Sequence, residues 1–221
     1  MEDKYKYMKY KYLITKNLEM TGGSNKNDNI INDALKFAKT LIGIPFRWWH
    51  DNEQIKADDK FWAANEPKVT ADEIKLNDKC IVCTGLINLI RRHVGLSIPG
   101  LDGKQGKLGI KFPGTTYTWF RYLKRKKRLV EIDFNKKYPM GTLLITNYES
   151  VEEQGHVAII IDYKGSNIKE QSIIHACTEH TYQDSKHMKN VGETSIEELN
   201  NILVWYKVKY ACLPENWLIK D

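Results

Sequence analysis

Ile30, Ile31, Ala34, Leu35, Ala38, Leu41 and Ile42 recur at helical spacing and the pattern stops at Gly43, which predicts an amphipathic helix opened by Asp28 or Asn29 as its cap. A second apolar stripe, Leu86, Leu89, Ile90 and Val94, follows Cys83, with Arg91, Arg92 and His93 in the last turn and Gly95 where a C-terminal cap belongs. "TTYTWFRYLKRKKRLVEI" reads as a third helix over 116–127 that runs into a short strand over 129–132. Beyond Pro139 the periodicity changes to that of strands. "TLLIT", "HVAIIID" and "QSIIHA" are three of them, the last two joined by the turn signal "YKGSN", and "ILVWYKVKY" is a fourth. Helices first and a run of antiparallel strands afterwards predict an α+β fold rather than repeated βαβ units.

Between the first two helices lies a polar stretch, about residues 50–78, too long for an ordinary connection and read as an insertion that serves as a lid or binding loop. Residues 1–29 alternate Tyr with Lys and then become turn-rich, so they form an arm and linker, leaving 30–221 as a single domain. A hydrophobic fraction of 42% is enough for a core at this length. No apolar run approaches a membrane span, and "MEDKYKYMKYKYLITK" lacks the apolar stretch of a signal peptide, so a cytoplasmic protein is expected. In that compartment four cysteines are free thiols, metal ligands or a nucleophile rather than a disulfide framework. The net charge of +6 is spread along the chain and gives no strong nucleic-acid signal. "KRKKR", residues 124–128, reads as the solvated end of a helix, with a phosphate-binding or nuclear-localisation patch as the sharper alternative.

Candidate chemistry centres on "KCIVCTGLINLIRRHVG". Thiol catalysis needs a thiolate, a base and a group that orients the base. Cys83 sits at a helix start, where free backbone N–H groups and the helix dipole favour negative charge. His156 opens one predicted strand and His175 ends the next. A turn centred between Gly165 and Ser166 places the two directly opposite each other on one face, where one orients the other. A one-residue slip would separate them. Two blander readings stand beside this. Cys83 is a core residue, or Cys80-x-x-Cys83 with Cys177-x-x-His180 and nearby His187 binds zinc. Cys80 alone has no such support, and neither a metal nor a cofactor is expected. His50, His93, His180 and His187 are read as surface or structural.

The stretches "GIPFRWW", "CTGLINLIRRHVG", "YPMGTLLIT", "GHVAIIID" and "IIHA" resemble, in order, segments of the NlpC-type cysteine peptidases. This is a papain-like superfamily of cell-wall endopeptidases with members in large DNA viruses. The resemblance covers about residues 30–180. It implies a papain-like domain whose nucleophile helix packs on an antiparallel sheet, with Cys83 as nucleophile, His156 as general base and His175 orienting it. Phe46, Trp48, Trp49 and Thr84 then border the substrate. It implies hydrolysis of a peptide or other amide or ester bond through a thioester, in the host cytosol if the protein is viral. Departures are specific. Phe46 stands where the family has Tyr, Val82 where it has Asp, Thr84 where it has Ser, and Trp49-His50 where it has Gly-Gly. Together with the insertion they point to a substrate other than the family's usual one. The alternatives are a thiol acyltransferase or lipid acyl hydrolase, and a non-catalytic binding module on the same fold.

Overall fold

The computed structural model describes residues 26–46, 81–99, 114–146, 155–176, 189–195 and 208–219. The first helix, α1, spans Lys26–Thr40 and buries Ala34, Leu35, Phe37 and Ala38. Asp28 lies in its first turn rather than at its cap, with Lys39 in the last turn, so both charges complement the helix dipole. Helix α2, Cys83–His93, is buried from Cys83 through Arg91. It lies between α1 on one side and the sheet on the other. Burial of a side chain such as Leu86 or Ile87, both at 0% exposure, contributes about 1.5–3 kcal/mol relative to leaving it in water. The Gly95 cap is as expected. Gly95 has φ +78°, its N–H donates to Arg92 O at 2.9 Å and that of Leu96 to Arg91 O at 3.0 Å, a Schellman pattern that a residue with a Cβ resists.

Helix α3, Thr116–Arg125, is capped by the Thr115 side chain, which accepts from the Thr118 N–H at 3.3 Å. Strands follow: β1 Pro45–Phe46, β2 Val130–Glu131, β3 Leu143–Ile145, β4 Val157–Ile160, β5 Ser172–Ala176, β6 Lys189–Ser195 and β7 Tyr210–Cys212. Among the described residues they form a seven-stranded sheet in the order β1-β6-β5-β4-β3-β7-β2, antiparallel at each pairing. The fold is α+β, with the antiparallel sheet expected from the strand run. Leu143, Ile145, Val157, Ile159, Ile174 and Ala176 pack with the helices. Leu144, Ala158, Ile160 and Ile173 join a second cluster with Tyr138, Ile168, Val208 and Ala211. That alternation along β3, β4 and β5 is the period-two pattern of a sheet apolar on both faces.

Two strands were not anticipated, and the strand expected over "ILVWYKVKY" lies outside the described residues up to 207 and meets β7 at Tyr210. β6, "KNVGETS", is polar and contains a glycine, yet it pairs with β5 from Ser172↔Ser195 to Ala176↔Val191. Its place is set by the backbone ladder rather than by a hydrophobic pattern. β1 adds two residues at its far edge. A π-helical turn, Glu215–Ile219, buries Trp217 against α1. Its indole N–H donates to Gly141 O at 2.7 Å. At Gly141 the φ of +84° favours glycine, and an added Cβ would also crowd Ile31 at 3.0 Å and Pro214 at 3.1 Å. Among the described residues no helix is long and apolar enough to cross a membrane.

Candidate active site

Cys83 is the first residue of α2, and the chain before it is fixed. Ile81 forms a parallel bridge with Phe46 and its N–H donates to Pro45 O at 2.9 Å. Val82, the N-cap, is extended and provides no side-chain cap, and no acidic residue occupies the first turn. Among the described residues the first turn therefore places no carboxylate of its own at the positive end of the helix. Cys83 is 7% exposed. Its Sγ lies 3.9 Å from Thr116 Oγ1, and the backbone N–H groups of Thr84, Val157 and Cys83 itself face it. Burial pushes the thiol above its ordinary value while those donors pull the other way.

The Val157 contact brings the thiol to the start of β4, one residue beyond His156. Among the described residues no hydrogen bond joins Cys83 to His156. His156 is held from its backbone: its N–H donates to Thr146 Oγ1 at 2.6 Å and its carbonyl accepts from the Thr146 N–H at 3.0 Å. Its ring Nε2 lies 3.2 Å from His175 Nδ1, the two rings edge to face with centroids 5.3 Å apart. Both imidazoles are buried. Desolvation, with His175 adding to it, holds His156 well below the usual imidazole range, so it is neutral at pH 7.

The two histidines share a face, as expected, but in a different register. Ile159 pairs with Ile174 and Ile160 with Ile173, which sets His175 opposite Ala158 and makes His156 its diagonal neighbour. The cause is the connection. Instead of a tight turn at Gly165-Ser166, Asn167 caps a 3-10 turn over Ile168–Glu170, its side chain accepting from the Lys169 N–H at 2.9 Å. A shift of two residues preserves the face, and a diagonal pair remains within reach of rings.

Thr84 is buried on α2 and Phe46 is buried in the core beside it. Trp48 and Trp49 lie outside the described residues, as do the insertion over 50–78, residues 1–25 of the arm, and Cys80, Cys177, His50, His180 and His187. His93 stacks on Phe37 with centroids 4.2 Å apart and meets Asp33 at 2.9 Å, a structural role. Among the described residues no group of three or more His, Cys, Asp or Glu is arranged to hold a metal. Thr116 was not singled out from sequence; its only signal was its place at the start of a helix after "FPGT". No protein-family model matches the chain, and no curated protein does.

Proposed function

We propose that the protein is a cysteine hydrolase of the papain-like, NlpC type that cleaves an amide bond, with Cys83 as nucleophile, His156 as general base and His175 orienting it. The observation that carries this reading is the meeting of three elements. A thiol at a helix N-terminus faces the first N–H of β4, that of Val157, and the residue just before it in the chain is His156, whose imidazole a second imidazole contacts at 3.2 Å. Because His156 Nε2 is engaged with His175, Nδ1 is the nitrogen left to take the thiol proton. That assigns Nε2–H as the donor to His175 Nδ1, the same division of roles by which a third group fixes a catalytic imidazole's tautomer.

In the reaction the Cys83 S–H proton moves to His156 Nδ1 as sulfur bonds to the substrate carbonyl carbon. The oxyanion is met by the Cys83 N–H at the helix end. The carbon–nitrogen bond then breaks, the amine leaving with the proton from His156, and a thioester remains. Water attacks it, His156 accepting the proton, and the acid departs with sulfur reprotonated. A different acceptor in place of water makes the same site an acyltransferase. A second reading, a non-catalytic binding module, is favoured by the protonated thiol and its lack of a hydrogen bond to His156. Catalytic hydrogen bonds commonly close only when substrate arrives, so resting geometry leaves the first reading intact.

Alkylation with iodoacetamide, followed site by site by mass spectrometry, separates the two readings. Cys212 is an internal control, since burial pushes its thiol up to about 12. We expect Cys83 to react faster than Cys212 at pH 8, and His156→Ala to slow Cys83 roughly 10²-fold, the scale of general-base assistance. Equal reactivity of Cys83 with and without His156 overturns the hydrolase.

A further inference from the structure

We infer that Thr116 is a catalytic residue whose hydroxyl exchanges one acceptor for another as the Cys83 proton leaves. This rests on the hydrolase reading above and adds to it a residue from α3. Among the described residues Thr116 Oγ1 has two hydrogen-bonding neighbours, Cys83 Sγ at 3.9 Å and Gly155 O at 3.4 Å. Thr116 itself is buried, at 5% exposure. Its position at the first residue of α3 is fixed by the Thr115 cap.

A hydroxyl has one proton and two lone pairs, so these neighbours define two states. With the thiol protonated, Cys83 S–H donates to Thr116 Oγ1, and the Thr116 O–H donates to Gly155 O. When the S–H bond breaks and the proton passes to His156 Nδ1, sulfur becomes an acceptor. The Thr116 O–H then turns about its C–O bond to donate to the thiolate, and Gly155 O gives up that bond. No atom is gained or lost; the S–H···O and O–H···O contacts of the resting state give way to a single, stronger O–H···S⁻ contact. Gly155 directly precedes His156, so the carbonyl that loses the bond belongs to the peptide unit leading into the base. The groups around the thiol are thus the N–H donors of α2 and β4 and the Thr116 hydroxyl of α3. On the hydrolase reading the titratable groups that act with it are His156, which follows Gly155 in the chain, and His175, 3.2 Å from the His156 ring.

The test is the pH profile of Cys83 alkylation in full-length wild type, Thr116→Val, Thr116→Ser and His156→Ala. Valine keeps the shape and removes the hydroxyl; serine restores the hydroxyl. We expect Thr116→Val to react about tenfold more slowly at pH 8, the loss of one hydrogen bond to a charged group, with its profile displaced to higher pH. Thr116→Ser should return toward wild type. A structural role would instead lower the melting temperature of the valine variant and leave the profile in place. If wild type shows His156-dependent labelling and Thr116→Val matches it, the Thr116 assignment falls and the hydrolase stands. If wild-type labelling is independent of His156, both fall.

Discussion

Acidification should destabilise the protein through His156 at a pH where its carboxylates are still ionised. In the unfolded chain this imidazole takes up a proton around its ordinary value of 6.5, whereas burial and the neighbouring His175 hold the folded group well below that. The sign follows from linkage. A group whose folded value is depressed binds more protons in the unfolded state as pH falls, so stability is complete above 6.5 and is lost below it. A folded imidazole that stayed neutral over that range would contribute a loss of about 1 kcal/mol between pH 6.5 and 5.5, steepening toward about 1.4 kcal/mol per pH unit. Urea unfolding at pH 7.5, 6.5 and 5.5, followed by the fluorescence of buried Trp119 and Trp217, measures it. The control is His156→Gln, which cannot titrate. Contributions from histidines outside the His156–His175 pair cancel in the difference, which reports the titration of the pair, and wild type should lose about 1 kcal/mol more than the variant over that interval. Parallel pH dependences would refute a buried neutral His156, and with it the base proposed for Cys83.

Two further outcomes test the frame around the site. Gln171, fully buried, accepts from the Tyr138 N–H at 2.9 Å and donates to Tyr138 O and Asp162 O, each at 2.9 Å. Gln171→Leu removes all three bonds, should cost about 3 kcal/mol in urea unfolding, and should slow Cys83 alkylation by loosening the connection that sets the β4–β5 register. On α3, Lys124 and Arg125 are exposed and make no ion pair among the described residues. Replacing both by Glu should cost about 1 kcal/mol through the helix dipole and leave Cys83 labelling unaltered, as a solvated helix end requires.

What the sequence disclosed depended on how far each element's position is written in its own side chains. α2 was legible at both ends because an apolar stripe, a basic last turn and Gly95 all agree. β3, β4 and β5 were legible because apolar runs bounded by turn residues have few other uses. β6 was not, since "KNVGETS" carries little hydrophobic signal and is held by its ladder with β5. Phe46 was read as a substrate contact, and it lies in the buried core next to the bridge that leads to Cys83. The juxtaposition of His156 and His175 was read from turn placement and survived a wrong turn. The loop is longer at its tip, with Asn167 and Glu170 organising it, yet the displacement was even, so parity kept both rings on one face. An odd displacement would have separated them. Thr116 was illegible because a hydroxyl becomes part of a site only through tertiary contact.

The chemistry of the site follows from a conflict between burial and hydrogen bonding. Burial opposes charge on both partners, raising the thiol and lowering the imidazole, so the proton stays on sulfur at rest. The polar groups gathered at Sγ nevertheless favour the anion: the N–H groups of Thr84, Val157 and Cys83, and the Thr116 hydroxyl. Such donors are worth most where water is excluded, and they require no rearrangement beyond the turn of one hydroxyl. A thiolate formed by transfer to His156 would stand among these donors with an imidazolium as counter-charge, whereas one formed by loss of a proton to bulk water would stand among the same donors, equally desolvated, with no cation supplied by the transfer. On the proposed reading Cys83 would be poorly reactive toward small electrophiles on its own account and dependent on His156, the behaviour that would separate a nucleophile from a buried cysteine.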